Sequence, residues 1–424
     1  MSPLRPSTIL YPVLESGSPA DRIAYLENRL RQTIAHAYVN APRFRVGMDL
    51  AGVAPHDVRH LSDLAKVPIT RKDDLPALQA EDLPFGGLAA APARTLKRIF
   101  MSPGFTYDLQ GHGPDFWRFR PALAAAGFRA GDIVLNTCSY HMTPAGSMFD
   151  GALRGLGCVV VPTGPGNTKL QVRIASDLGA TGYVGTPSFL YTILKKAAEV
   201  RSPLQIEVAY VTDEMLPESL RNELETDYGI RVLQGYVTAD LGMLAYECFE
   251  QKGIHLHPEV IVEVLDLETG NPAPPGRPGQ VVATIFDETY PLVRFATGDI
   301  STFLDDQPCA CGRTTPKLGG GILGRVGDAV KVKGIFVRGS HMEEVMRQFP
   351  EVDRFQAVVT REDHQDCLHY VVELNCSPYD EHWLANRIAE ELRDRFKVRG
   401  QVEFVAPGTI PAAAKKIEDR RVWK

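Results

Sequence analysis

The sequence predicts an α/β fold: a large N-terminal domain with parallel sheets and a β subdomain, then a small α+β C-terminal domain. Three observations lead there. A chain of 424 residues exceeds what one ordinary hydrophobic core accommodates, so two or more lobes are expected. From about residue 97 to 215, short β-branched runs alternate with amphipathic stretches, the rhythm of a parallel sheet covered by helices. After residue 255, strand-like runs follow one another between Pro/Gly-rich turns, the texture of a mostly antiparallel subdomain. The expected boundaries are 1–324 for the first domain, with its β subdomain at about 255–324, and 325–424 for the second.

In chain order, residues 21–42 read as a helix, because Leu26, Leu30, Ile34 and Tyr38 share one face. Buried strands are expected at Ile133–Thr137 and Cys158–Pro162, the second ended by its proline. A helix opens at Asn167–Thr168 and runs through Ile174, and Gly182–Gly185 supplies the next strand. Phe189–Val200 is helical and Val208–Thr212 extended. Val260–Leu265, Gln280–Ile285 and Pro291–Phe295 form the strands of the β subdomain, with a turn at Asn271–Gly276. In the last hundred residues, helices at Met342–Gln348 and Trp383–Phe396 alternate with strands at Phe355–Val359 and Leu368–Glu373.

Composition narrows the class of function. Hydrophobic content of 44% and charged content of 23% are those of a soluble globular protein. A net charge of −6 gives no electrostatic reason to expect nucleic acid or an anionic membrane as partner. The start lacks the apolar core of a signal peptide, and no stretch reaches the length of a membrane span. Seven unevenly spread cysteines do not make a disulfide framework. A reduced, cytoplasmic enzyme is the expectation.

Chemistry concentrates in two segments. Pro291–Asp299 (PLVRFATGD) leads an apolar run into a Thr-Gly turn ending in a carboxylate, which can accept both hydroxyls of a ribose. Gly324–Asp328 (GRVGD) follows with a guanidinium suited to phosphate or carboxylate. Each fragment alone also reads as a turn and a surface ion pair. Further fragments occur in a fixed order: Ile69–Leu75 (ITRKDDL), Gly166–Thr168, Gly185–Ser188 (GTPS), Cys309–Arg313 (CACGR) and GRVGD. In that order the chain resembles the phenylacetate–CoA ligase-like branch of the adenylate-forming, or acyl-CoA synthetase, superfamily, over most of its length.

The resemblance implies ATP-dependent activation of a carboxylic acid to an acyl-adenylate, then rotation of the C-terminal domain and thioester formation with coenzyme A. It implies ATP, Mg²⁺ and coenzyme A as cofactors, an aromatic or other hydrophobic acid such as phenylacetate as substrate, and a homodimer. On the matching positions, Asp299 would hold the ribose, and Arg325 the nucleotide or the hinge. Gln234–Asp240 (QGYVTAD) matches an aromatic loop, in which Gly235 and Tyr236 frame the adenine and Asp240 helps to hold magnesium. Asp240 also suits a helix N-cap. Asp213 and Glu214 match the adenine-pocket segment, or are ordinary strand-end acids. Ile410–Lys416 (IPAAAKK) resembles the catalytic-lysine loop, with the lysine at Lys416 and Lys415 as the alternative; a solvated basic tail is the plainer reading. Such an ammonium would stabilise the charge that collects as pyrophosphate is displaced.

The phosphate loop departs from the family. Ser102, Gly104 and Thr106 fit a Ser/Thr/Gly-rich wrap, but Pro103 removes a donor and Asp108 would repel phosphate. Gly327 replaces the usual acidic hinge residue with a more flexible one. Cysteine usage adds a second centre. By the family pattern around Gly253–His255, Cys248, His255, Cys309 and Cys311 would be structural Zn²⁺ ligands, with His257 in reserve; buried free thiols are the alternative. Tyr140 and His141, after a strand, are expected to line the acid pocket. Two rivals share the sequence: an adenylation enzyme loading a carrier protein, and a catalytically silent relative that binds a nucleotide or ligand.

Overall fold

The computed structural model describes residues 5–102, 106–304, 308–327, 329–333, 335–376, 380–411 and 414–421. Gly104 and Asp328 lie outside the described residues. The architecture is mixed α/β. Its centre is an eight-stranded sheet. Five of its strands, Ile133–Asn136, Val159–Pro162, Gly182–Gly185, Val208–Val211 and Arg231–Thr238, run parallel. The sheet continues antiparallel through Gly242–Tyr246, Ile254–Leu256 and Lys317–Leu318.

Helices cover this sheet because their apolar faces have nowhere else to go. Thr168–Leu178 and Pro187–Glu199 pack over one face with Leu135, Tyr183 and Val211. Ala145–Gly155 packs over the other with Phe119, Phe149 and Tyr210. The helix expected from Phe189 starts two residues earlier. Pro187 is tolerated in its first turn, and Thr186 caps it by accepting the Phe189 N–H. The helix expected at 21–42 spans Pro19–Asn40 and is capped by Ser18; it packs on Ile261 and Val293.

A five-stranded sheet holds Val260–Leu265, Gly279–Ile285, Phe295–Ser301, Gly324–Arg325 and, from the N-terminal side, Thr70–Arg71. Pro291–Phe295 is not the strand expected of it. The strand begins at Phe295, because Arg294 has φ +50° and the Arg294 guanidinium turns back to Glu263 at 3.0 Å. Thr297–Asp299 is accordingly not a turn beyond a strand but a bulge within one. Its partner strand advances from Gln280 to Val282 while it retreats from Ile300 to Ala296. Gly298 at φ +79° makes the bulge possible.

Residues 329–421 have their own core of Val337, Met342, Ala357, Tyr370, Leu384 and Leu392, among others. A four-stranded sheet is backed by the helices Gly339–Met346 and Glu381–Phe396, and a hairpin of Ala329–Val332 and Ile335–Arg338 faces the large lobe. Among the described residues, no helix is long and apolar enough to cross a membrane.

Candidate active site

A cleft of about 1290 Å³ opens where the parallel strands end and the small lobe faces them. Loops at the carboxyl ends of parallel strands are where such sheets bind ligands. Asp299 lies at its floor. The bulge turns its carboxylate into the cleft, where Tyr236 Oη donates to one oxygen at 2.7 Å and Arg325 Nη1 to the other at 2.9 Å. Burial raises the Tyr236 phenol well above its ordinary value, so it stays a donor. Arg325 Nη2 also donates to the Thr297 carbonyl at 3.3 Å. The Arg325 side chain is 6% exposed, so this is no surface ion pair. Gly298 leaves room for it: a Cβ there would stand 2.7 Å from Arg325 Nη2.

Gly235 and Tyr236 line the cleft from within the strand Arg231–Thr238, not from a loop. A Cβ on Gly235 would meet Tyr210 Oη at 1.9 Å, so close sheet packing demands glycine. Asp240 follows in a turn into the next strand, so it caps no helix. Its buried carboxylate pairs with the Lys72 ammonium. Burial alone would lower the Lys72 pKa, but the charge and hydrogen bond of Asp240 leave it raised.

Ser102 and Thr106 line the cleft from a hairpin, Arg98–Ser102 with Thr106–Gln110, in place of the expected loop. Asp108 does not point at the cleft as a repelling charge. It is buried beneath Ser102, which donates to it. Burial and the neighbouring Asp240 push its pKa up to about 7.

Asp213 has φ +69°, lines the cleft, and meets Lys331 of the small lobe at 3.2 Å. Glu214 lines it too; burial raises its pKa, and it accepts the Ser188 N–H at 3.4 Å. His141 is a lining residue, whereas Tyr140 is not. The Tyr140 hydroxyl accepts from Asn136 at 2.7 Å, and its ring closes over Gly146. The apolar end of the cleft is made by Phe119, Cys138, Met148 and Phe149. Lys415, exposed, reaches the cleft. The Lys416 ammonium instead lies 4.3 Å from the centre of the Phe355 ring.

Below the sheet edge, Cys248, His255, Cys309 and Cys311 come together, their ligand atoms all within 4.8 Å of one another. Cys248 and Cys309 sulfurs are 3.7 Å apart, and Cys311 Sγ is 3.5 Å from His255 Nε2. A tetrahedral zinc with thiolates at 2.3 Å and imidazole near 2.1 Å requires separations of about 3.8 and about 3.6 Å. Those two separations match that ion, and three thiols with one imidazole are a donor set suited to it. His255 Nδ1 faces the Thr315 carbonyl at 3.2 Å, which leaves Nε2 as the free lone pair. His257 is not in the group; its Nδ1 accepts the Glu259 N–H.

Sequence reasoning missed Lys72, Asp73 and Lys331. Lys72 and Asp73 sit in the ITRKDDL fragment, yet Lys72 meets its partner 168 positions away. A lysine beside two acids just after a short strand was the available signal.

A large α/β lobe and a separate small α+β lobe on either side of a cleft agree with the adenylate-forming enzymes, the class to which the similar proteins belong. The family described as "AMP-binding enzyme C-terminal domain" matches residues 334–422. A phenylacetate–coenzyme A ligase of Thermus thermophilus is 32% identical over 93% of this chain and 94% of its own length. That of Escherichia coli is 28% identical over 95% of each. The chain belongs to the phenylacetate–CoA ligase family. A crystal structure of 2-hydroxyisobutyryl-CoA ligase with its acyl-adenylate and CoA, in the thioesterification state, superposes with a TM-score of 0.88 at 24% identity, covering 97% of this chain and 92% of that one. The same ligase in the postadenylation state gives 0.69 at 24% identity, covering 96% and 91%.

Proposed function

We propose that this protein is an AMP-forming acid–CoA ligase. The substrate carboxylate attacks the α-phosphorus of ATP and expels pyrophosphate. The thiol of coenzyme A then attacks the acyl carbon and expels AMP. The observation that carries this reading is the Tyr236–Asp299–Arg325 corner on the floor of a cleft that both lobes line. Asp299 offers two anionic acceptors for ribose hydroxyls, already oriented by two donors, so little is lost in ordering them. Gly235 and Tyr236 line the cleft beside Asp299, where the base would lie.

Lys72, Ser102 and Thr106 supply the cation and hydroxyls for the phosphates. Mg²⁺, held by Asp240, would neutralise charge on the leaving pyrophosphate. Phe119, Met148 and Phe149 favour an aromatic or other hydrophobic acid, phenylacetate being the simplest in keeping with the relatives. Lys416 is the catalytic lysine of the adenylation step in this reading, with its place on Phe355 a resting position. The better superposition on the thioesterification state supports a lobe arrangement suited to the second half-reaction, in which that lysine has no task. Residues beyond Arg325 turn as the mobile domain, because Gly324–Arg325 itself is paired to the Phe295–Ser301 strand of the large lobe. The four-ligand cluster holds structural zinc and ties Cys309–Arg313 to the sheet. The seven unbridged cysteines suit a cytoplasmic setting.

The test is pyrophosphate release with a panel of aromatic and aliphatic acids, with and without coenzyme A. Acid-dependent release without the thiol is expected, with AMP and thioester appearing once coenzyme A is added. Silence across the panel with bound nucleotide would leave a nucleotide-binding relative instead.

A further inference from the structure

Asp299 is the inner end of a run of alternating charge that crosses from the large lobe to the small one. Arg325 lies 2.9 Å from Asp299 and, through Nη2, 4.0 Å from Asp73 Oδ1. The same Asp73 oxygen accepts from Arg338 Nη2 at 2.5 Å. Arg338 ends the hairpin strand Ile335–Arg338 of the small lobe. Asp73 belongs to the short turn Lys72–Asp74, whose Lys72 lines the cleft. One turn therefore presents a cation to the cleft and, one residue on, an anion to the other lobe.

We propose that Asp73 is a positioning residue for thioester formation: it docks the small lobe through Arg338 and senses the nucleotide corner through Arg325. The proposal rests on the acid–CoA ligase reading. Its physics is simple. Asp73 is the shared counter-ion of two guanidinium groups on facing elements. Without its charge, Arg338 loses its partner and faces Arg325, which keeps Asp299, as a like charge, so the contact between the lobes weakens. The nucleotide enters through Asp299. Ribose hydroxyls that donate to its oxygens compete with Arg325, whose guanidinium then gives more of its charge to Asp73. Occupancy of the corner thus favours the docked lobe, and docking in turn favours occupancy. Other contacts between the lobes, Lys331 to Asp213 at 3.2 Å, His364 to Glu223 at 3.5 Å and Gln365 to Thr192 at 3.1 Å, bypass Asp299 and Arg325.

The side chain of Asp73 is 47% exposed, so the effect is modest and sensitive to salt. Asp73→Asn and Arg338→Gln should each slow single-turnover thioester formation from a supplied acyl-adenylate by about fivefold at low salt. Pyrophosphate exchange should stay within about twofold in both variants, and the double variant should be no slower than either single one. High salt should erase the difference. Equal loss in both half-reactions, no loss in either, or effects that multiply would overturn the proposal. Protease cleavage around Val326–Gly327 reads the same coupling without turnover. AMP should protect the wild-type chain more than Asp73→Asn; equal protection overturns the proposal even for a chain that activates no acid.

Discussion

The nucleotide corner and the lysine loop of the small lobe carry charge for the same reaction but are built in opposite ways. Asp299 and Tyr236 are buried, the Arg325 side chain is largely covered, and each is fixed by another of the three. Lys415 is exposed, and Lys416 rests on a ring of its own lobe. A corner of the first kind is organised before any ligand arrives, whereas the second depends on where the lobe stands. The large lobe thus sets what is bound, and the small lobe sets which step is served.

Removing the fixed side should cost most. Asp299→Ala takes away both charged acceptors and removes the nearer carboxylate partner of Arg325. The kcat/KM for ATP in pyrophosphate release should fall roughly a hundredfold or more. A fall of less than threefold would mean that the ribose sits elsewhere.

The mobile side should fail selectively. Lys416→Ala is expected to lower adenylate formation by about a hundredfold while leaving acyl transfer from a supplied adenylate within about twofold. Lys415→Ala is the control, and a reversed pattern would assign the role to the residue that faces the cleft in this arrangement. Two unaffected variants would remove the loop from catalysis.

A smaller effect, on stability alone, is expected at the cysteine cluster. Protein purified without chelator should hold close to one zinc per chain, and Cys309→Ser should lower both zinc content and Tm, the latter by roughly 5 °C. Full stability without zinc would make the four residues ordinary core thiols. Smallest is the central strand beside the corner. Gly235→Ala should destabilise by about 1–3 kcal/mol through its clash with Tyr210, and Tyr210→Phe should recover part of that in thermal unfolding.

The same contrast explains what the sequence could disclose. Elements with strong period and clear punctuation were legible: the helix Pro19–Asn40, the four parallel strands from Ile133 to Val211 and the Glu381–Phe396 helix; the fifth parallel strand, Arg231–Thr238, was not. The gathering of Cys248, His255, Cys309 and Cys311 was legible too, since the family pattern around Gly253–His255 picks it out. Side chains whose meaning comes from a distant partner were not. Nothing near Lys72 in sequence announces Asp240. Tyr140 follows a strand as a pocket residue should, yet its hydroxyl is claimed by Asn136. The bulge at Thr297–Asp299 looked like a turn because its glycine is the same signal in both settings.

The most direct measurement is the position of a non-hydrolysable acyl-adenylate analogue in crystals of the complex. The ribose hydroxyls should lie within hydrogen-bond distance of the Asp299 carboxylate, with the acyl group directed toward Phe149. An analogue bound well away from Asp299, or with its ribose free of any carboxylate, would contradict the account.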